Sequence, residues 1–354
     1  MKKTKVRESN IELLRNISMF MILIIHANFV ALPHIQYNEL MSDSVSSITR
    51  LFFESFGIVA VNVFVLISGW FGIRTRTKGV LSFIYQILFF LGGGGILFIL
   101  LGTTTFSLRS VLEVFQFAGK DWFIKAYIIL MILSPALNTF SQKAEEKTQR
   151  YVVIAYMLFE AIWCWAANGA RFFLAGYGPL HFIGLYMTAQ YIHNQIGQPS
   201  TPNWIRAIFS FPKWIDLGLF CLTIVMNTAF VVGGSFVLKG VETPFALIYA
   251  YSNPLVILGA LYLQLFFSKL KMPYVKLINW MGASSFAVYL IHTQTTFFDT
   301  CFTPQVCYIY DKFSGGSCIG MFFIFLSCIY IIAILIDQLR LLTWDKLWDL
   351  KKLK

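Results

Sequence analysis

The sequence predicts an all-α polytopic membrane protein, with about ten transmembrane helices in one bundle and both termini in the cytoplasm. Three observations lead to this fold class: the composition, the series of apolar segments and the distribution of basic residues. Of the 354 residues, 57% are hydrophobic and only 13% are charged, whereas a soluble domain carries about 25% charged residues. A chain this apolar is typical of a protein whose surface faces lipid.

The apolar segments are long enough to cross a bilayer, which takes roughly 20 helical residues. Their ranges are 11–32, 51–73, 79–101, 121–140, 150–168, 178–195, 214–234, 243–267, 277–298 and 317–340. Segment 105–119 is apolar but shorter, and it is predicted to form an interfacial or re-entrant helix. Because neither an internal repeat nor a separate soluble region is visible, we expect a single transmembrane domain over residues 1–354.

The basic residues set the predicted orientation. With a cytoplasmic N-terminus, most of the 28 Lys and Arg residues fall in cytoplasmic segments, including clusters at 2–7, 74–78 and 340–354. This asymmetry follows the positive-inside rule and predicts a multi-pass protein of the cytoplasmic membrane. The net charge of +11 is spread over short clusters and does not form one patch, so we do not expect nucleic-acid binding.

The N-terminus and the cysteines exclude two further classes. The chain starts with basic residues, as a signal peptide does, but Glu12 and Arg15 interrupt the apolar region that follows, which predicts an uncleaved first helix. None of the six cysteines forms a Cys-x-x-Cys pair, so no metal site is predicted and the thiols are expected to be free. A disulfide among Cys301, Cys307 and Cys318 is the alternative.

The first predicted helix contains charged groups that a membrane anchor does not need. Arg15 and His26 lie on one helix face, about 16 Å apart along the axis, and Glu12 is placed to pair with Arg15. Snorkelling to the interface would account for Arg15, and a helix-packing hydrogen bond would account for His26. Because imidazole exchanges protons near neutral pH, the two residues together also suggest a reactive site.

A candidate binding site lies where the second predicted span ends. Ser68 is in its last turn, and Arg74 and Arg76 follow at the cytoplasmic side. The positive-inside rule alone explains the two arginines. A phosphate-rich ligand arriving from the cytosol would need the same residues.

Further candidates lie in later segments. Trp122 opens the fourth span, where an interfacial aromatic residue is ordinary. In the ninth span, Tyr289 and His292 share a helix face, which places a second histidine beside a phenol. Arg171 and His181, near the outer face, are candidate contacts for an acceptor.

These motifs resemble those of acyltransferase family 3, the membrane-bound O-acetyltransferases that modify bacterial surface glycans and other extracytoplasmic acceptors. Four sets of residues follow the family's order: Arg15 with His26, Ser68-Gly69-Trp70 with Arg74 and Arg76, Trp122-Phe123, and Ser285 with Tyr289 and His292. Glu12 is a mild departure, because the family more often has Asp there. The hydrolase-like domain fused to some longer members is not recognised in this sequence.

The resemblance implies transfer of an acetyl group from cytosolic acetyl-CoA to a hydroxyl of an extracytoplasmic acceptor, most commonly a capsular polysaccharide or exopolysaccharide. We expect a catalytic site at His26 and Arg15, with His26 as general base or acyl carrier and Arg15 in a positioning role. The implied donor-binding residues are Ser68, Arg74, Arg76, Tyr289 and His292. The expected acceptor-binding residues are Glu12, Trp122 and, from its position near the outer face, Arg171.

Two other function classes stay open from the residues alone. A transporter or flippase for a glycan or a small metabolite also suits many spans and buried charges, although matching broken helices in two halves are not visible. The chain could also be a structural subunit of a polysaccharide assembly complex. Such a role would not explain the polar residues within the predicted spans, which are Arg15, His26, Tyr289 and His292. The chain has no P-loop, Gly-x-Ser-x-Gly or His-Glu-x-x-His motif, which removes support for hydrolase and metalloprotease functions.

Overall fold

The computed structural model describes residues 7–103, 107, 122–167, 174–196, 198 and 201–352. Nearly all of these residues are helical, and no β-strand occurs among them, which confirms the all-α class. The first seven helices are α1 (Ser9–Ala31), α2 (Tyr37–Ser42), α3 (Ser44–Phe71), α4 (Thr77–Leu100), α5 (Trp122–Lys143), α6 (Glu146–Phe159, continued by the π-helical segment Glu160–Ala166) and α7 (Pro179–Gln195). The others are α8 (Asn203–Ser210), α9 (Lys213–Leu238), α10 (Glu242–Ile248), α11 (Pro254–Ser268), α12 (Lys276–His292), α13 (Thr295–Phe297, Phe298–Phe302 and Thr303–Lys312 in succession) and α14 (Gly315–Lys352).

Every predicted span overlaps one of these helices. Within the described part of the chain, six helices are long and apolar enough to cross a membrane: α1, α3, α4, α5, α9 and α14. They make the chain a multi-pass membrane protein. Apart from Ser107, the helix predicted at 105–119 lies outside the described residues. All six cysteines are free, as expected.

The prediction of one continuous helix over 243–267 was wrong, because the chain breaks between α10 and α11. Pro254 disfavours helical geometry at the residue before it and has no N–H to donate. Asn253 bridges the break: its side-chain oxygen accepts from Leu255 N at 2.9 Å, and its amide donates to Ile248 O at 2.6 Å. Asn62 donates to the Tyr251 carbonyl at 3.0 Å, so the protein itself satisfies backbone groups freed by the break.

The chain forms two compact units. The first unit contains Met1–Pro33, Arg76–Asp121 and Tyr274–Lys354, and therefore α1, α4, α12, α13 and α14. The second unit contains His34–Thr75 and Trp122–Pro273, and therefore α2, α3 and α5 to α11.

In the first unit, α1 and α12 run parallel. Near the start of both helices, Ser9 Oγ accepts hydrogen bonds from Val275 N at 2.8 Å and from Asn279 Nδ2 at 2.6 Å. At their other ends, the side chains of His26 and His292 meet. Polar groups that hydrogen-bond across apolar helices fix the register of the pair, since no water competes for them in lipid.

In the second unit, α3 packs closely on α7 and also contacts α9. Gly69 permits the α7 contact, because a Cβ at this position would lie 2.9 Å from Ala189 Cβ. On the other side, Thr228 of α9 donates to Ser55 Oγ of α3 at 2.8 Å. Small and hydroxyl side chains at these contacts let the helix backbones approach each other.

Candidate active site

Two histidines from α1 and α12 form the centre of the first unit's candidate site. His26 Nδ1 lies 2.7 Å from His292 Nε2. His26 begins the π-helical turn that closes α1, and His292 is the last residue of α12. Because the two helices run parallel from a shared hydrogen-bonded start, their final turns bring the imidazoles together.

The hydrogen bonds determine which ring nitrogens carry protons. His292 Nδ1 lies 2.6 Å from the Val288 carbonyl oxygen, which can only accept, so Nδ1 carries a proton. In a neutral His292, Nε2 then holds the lone pair and accepts from His26 Nδ1–H. The remaining nitrogen, His26 Nε2, therefore has a lone pair that His292 does not use, and this nitrogen can accept a proton or attack a carbonyl.

Aromatic rings surround the pair, and the two histidines differ in their exposure. His292 is fully buried, whereas His26 is partly exposed. The ring centroid of Tyr289 lies 6.4 Å from that of His26 and 6.0 Å from that of His292, and the Phe302 ring is 5.8 Å from His292. His26 is thus the member of the pair that a ligand can reach, and His292 is the member that holds it in place.

The predicted pairing of Glu12 with Arg15 is present on α1. Glu12 Oε2 lies 3.3 Å from Arg15 Nε and 3.2 Å from Arg7 Nη1. Glu12 is buried against α12 at Gly282, where a Cβ would overlap the carboxylate. Two arginines neutralise the carboxylate, and the glycine leaves the space that it occupies.

Replacing Gly282 by alanine is expected to destabilise the first unit by about 1–3 kcal/mol, the usual cost of overpacking. The added methyl group would displace the Glu12 carboxylate and loosen its ion pair with Arg15. Thermal unfolding of the protein in detergent would show the effect as a lower Tm. Gly320→Ala on α14 is the matched control, because in the described structure no atom beyond the neighbouring backbone of α14 lies within 4 Å of a Cβ there. Equal Tm values for both variants would contradict the packing role of Gly282.

In the second unit, a closed set of hydrogen bonds holds the segment that carries Arg74. Ile73 N donates to Tyr186 Oη at 2.8 Å, Tyr186 donates to Asn138 Oδ1 at 2.7 Å, and Asn138 Nδ2 donates to Ile73 O at 2.9 Å. Gly72, at φ 70°, makes the turn that leads into this segment. Arg74 is therefore exposed on a fixed backbone.

Residues 8–337 match the family model described as an acyltransferase domain, that of acyltransferase family 3. The chain belongs to this family. No curated protein and no solved structure matched the chain in the corresponding searches. The match covers nearly the whole chain, including both histidines of the pair, and it makes the protein an acyltransferase.

The site residues predicted from sequence are distributed over both units of this family 3 acyltransferase. The first unit brings together two groups, the ion pair Glu12–Arg15 and the cluster His26, Tyr289 and His292, and it also contains Arg76. The second unit contains Ser68, Arg74 and Trp122. Arg171 lies outside the described residues.

The polar atoms of Ser68 and His181 are hydrogen-bonded within the second unit. Ser68 Oγ donates to Phe64 O at 2.9 Å and lies 3.2 Å from Tyr127 Oη. His181 is 2% exposed, with Glu160 Oε2 3.1 Å from Nδ1 and Asn62 Oδ1 2.9 Å from Nε2. Both ring nitrogens of His181 thus have protein partners, and neither is left to contact the acceptor substrate. His181 is a buried side chain whose hydrogen bonds are complete.

The sequence did not identify Asn138 and Tyr186 as the residues that hold Ile73, or Glu160 as the partner of His181. A signal was present, because Asn138 and Glu160 are polar residues inside or at the end of predicted spans, where such groups usually have a structural or functional partner. Within the described residues, no group of three or more His, Cys, Asp or Glu side chains is arranged to hold a metal ion.

Proposed function

We propose that the protein is an O-acetyltransferase of the cytoplasmic membrane, with ten crossings and both termini in the cytoplasm. It transfers the acetyl group of cytosolic acetyl-CoA to a hydroxyl of an extracytoplasmic glycan, such as a capsular polysaccharide or exopolysaccharide. The observation that carries the proposal is the His26–His292 pair, which leaves His26 Nε2 with a lone pair, in a chain that belongs to an acyltransferase family.

In the proposed reaction, His26 is the general base. Its Nε2 takes the proton of the acceptor hydroxyl while the hydroxyl oxygen attacks the thioester carbonyl. The C–S bond then breaks, and the thiolate of coenzyme A leaves with the proton that His26 returns. His292 Nε2 accepts from His26 Nδ1–H throughout, which orients the ring and stabilises the imidazolium formed midway.

The other first-unit residues position these groups. Arg15 is paired with Glu12, and the guanidinium group is a poor proton donor, so Arg15 holds α1 in place or attracts the donor. The Tyr289 ring packs near both imidazoles and limits their rotation. The low-dielectric surroundings strengthen the hydrogen bond between the histidines.

Arg74 and Arg76 are the proposed contacts for the phosphates of acetyl-CoA. Both are exposed, and the backbone that carries Arg74 is held by Tyr186 and Asn138. Replacing both arginines by alanine should raise the KM for acetyl-CoA about 10-fold or more, because each charge-assisted hydrogen bond contributes roughly 1.5–3 kcal/mol. The change in kcat should be small, since the substitutions leave the histidine pair intact.

The control for the arginine variant removes two other cations from the predicted cytoplasmic side, Lys143 and Lys147. Initial rates at increasing acetyl-CoA concentration would give KM and kcat for both double variants. An unchanged KM for acetyl-CoA in the arginine variant would reject the phosphate contacts. The two arginines would then act only in orienting the protein in the membrane.

The proposed function is tested with purified protein in proteoliposomes. Acetyl-CoA labelled in the acetyl group is supplied on one side, and the unacetylated surface glycan of a deletion strain on the other. We expect label to appear in the glycan as a base-labile ester. Movement of intact glycan across the bilayer without labelling would instead identify a flippase and overturn the proposal.

A further inference from the structure

Gln294 lies just beyond the end of α12, two residues after His292. Because consecutive Cα atoms are about 3.8 Å apart, the Cα atoms of these two residues lie within about 8 Å of each other. Gln294 N donates to Ile291 O at 3.3 Å, so the chain is still held to the last turn of α12 at this point. The residue is buried, with 9% of its surface exposed. Gln294 therefore belongs to the same end of α12 as the histidine pair.

The amide of Gln294 has a fixed orientation and an unused donor group. Its Oε1 accepts from Phe297 N at 2.7 Å and caps the first turn of α13. Only the oxygen of an amide accepts from N–H, so this bond determines which way the side chain points. The Nε2 group carries two N–H donors and has no hydrogen-bond partner among the described residues. A buried amide with unused donors is costly, which points to a ligand that supplies an acceptor atom.

An open space adjoins Gln294 on the side of α4. The rings of Phe83 on α4 and Phe286 on α12 stack at 5.4 Å, and further along both segments a Cβ at Gly94 would lie 3.5 Å from Gln294 Cγ. This register places the glycines of α4 at the level of the histidine pair. At the neighbouring Gly93, no described atom beyond the adjacent backbone of α4 lies within 4 Å of a Cβ position. Close helix packing therefore does not explain Gly93, and its missing side chain leaves room beside Gln294.

We propose that Gln294 is a further catalytic residue, whose Nε2 donates a hydrogen bond to the carbonyl oxygen of the thioester. The role rests on the proposed function, because it places the acyl group of the donor between His26 and the space at Gly93. When the acceptor oxygen bonds to the carbonyl carbon, the π electrons of the C=O bond move to the carbonyl oxygen. This oxygen stays negatively charged until the C–S bond breaks, and a donor aimed at it lowers the barrier. Gln294 transfers no proton, so the proton still passes from the hydroxyl to His26 and then to the thiolate.

The first experiment measures labelled acetyl transfer by Gln294→Glu. Glutamate keeps the volume and an oxygen for Phe297 N, but it replaces the N–H donors by a second acceptor. We expect kcat to fall about 10-fold with a smaller rise in the KM for acetyl-CoA, because the bond strengthens as charge develops. Thr293→Val is the matched control, since it removes a hydroxyl that bonds to Tyr289 O within α12 and should leave both constants unchanged. Size-exclusion profiles and thermal unfolding check that both variants are folded.

The second experiment measures binding without transfer. The probes are two stable thioethers of coenzyme A, S-(2-oxopropyl)-CoA with a ketone and S-propyl-CoA with CH₂ in its place. We expect wild-type protein to bind the ketone about 5-fold more tightly, the usual effect of one neutral hydrogen bond, and Gln294→Glu to lose this preference.

The two experiments separate the role of Gln294 from the proposed function. A ketone preference that depends on Gln294, without any acetyl transfer by the wild type, would support the carbonyl contact and reject the acetyltransferase. Acetyl transfer with equal binding of both probes, or with wild-type kcat in folded Gln294→Glu, would keep the acetyltransferase and overturn the role of Gln294. Wild-type protein that binds neither probe and transfers no label would overturn both.

Discussion

His26→Gln is expected to lower kcat for acetyl transfer by about 10²–10⁴-fold, the usual contribution of a general base. Glutamine is similar in size and can still donate a hydrogen bond to His292, but its amide does not accept a proton near neutral pH. The apparent affinity for acetyl-CoA should stay near that of the wild type, because the proposed phosphate contacts are Arg74 and Arg76. Rates of labelled acetyl transfer in proteoliposomes, taken at several acetyl-CoA concentrations, give both kcat and the apparent affinity for acetyl-CoA.

The matched control for this prediction is His34→Gln. His34 is exposed in the second unit and packs on Phe245 at a ring distance of 5.6 Å, so its replacement should leave transfer unchanged. Wild-type activity in a well-inserted His26→Gln protein would reject His26 as the base. Mass spectrometry of wild-type protein incubated with acetyl-CoA alone distinguishes the covalent alternative, because an acetyl group on His26 that later passes to the acceptor would make it an acyl carrier.

His292→Leu is expected to lower kcat by about 10–100-fold, the second-largest effect. Leucine fills a similar volume but removes the acceptor that holds His26 Nδ1–H, and the lost hydrogen bond to a charged imidazolium corresponds to roughly 1.5–3 kcal/mol in the transition state. His292 is fully buried and is a positioning residue, so the KM for acetyl-CoA should change little. Initial rates at increasing acetyl-CoA concentration separate the effect on kcat from the effect on KM.

A conservative variant distinguishes positioning from simple packing. The side-chain oxygen of His292→Gln can accept from His26 Nδ1–H, so this variant should recover part of the activity lost in His292→Leu. Both variants should have Tm values close to each other, since both fill the site. If His292→Leu and His292→Gln lose the same activity, or if neither loses any, the hydrogen bond between the histidines has no role in transfer.

The sequence by itself determined the class of the protein and most of the first-helix site. High apolar content and few charges predict helices across a membrane, because lipid leaves the backbone no water to bond with. Glu12, Arg15 and His26 are recognisable because polar groups inside a span are costly and rarely occur without a partner. Their order and spacing, together with the later motifs, also predicted the family, which the match over residues 8–337 confirms.

Only the tertiary structure decided which of these groups act on one another. His26 and His292 are 266 residues apart, and their contact depends on the parallel packing of α1 and α12, which the periodicity of neither helix specifies. The proton assignment required the position of the Val288 carbonyl, and the helix break before Pro254 required the partners of its free backbone groups. Side-chain packing over long sequence separations sets these contacts, whereas sequence patterns report mainly the local environment of each helix.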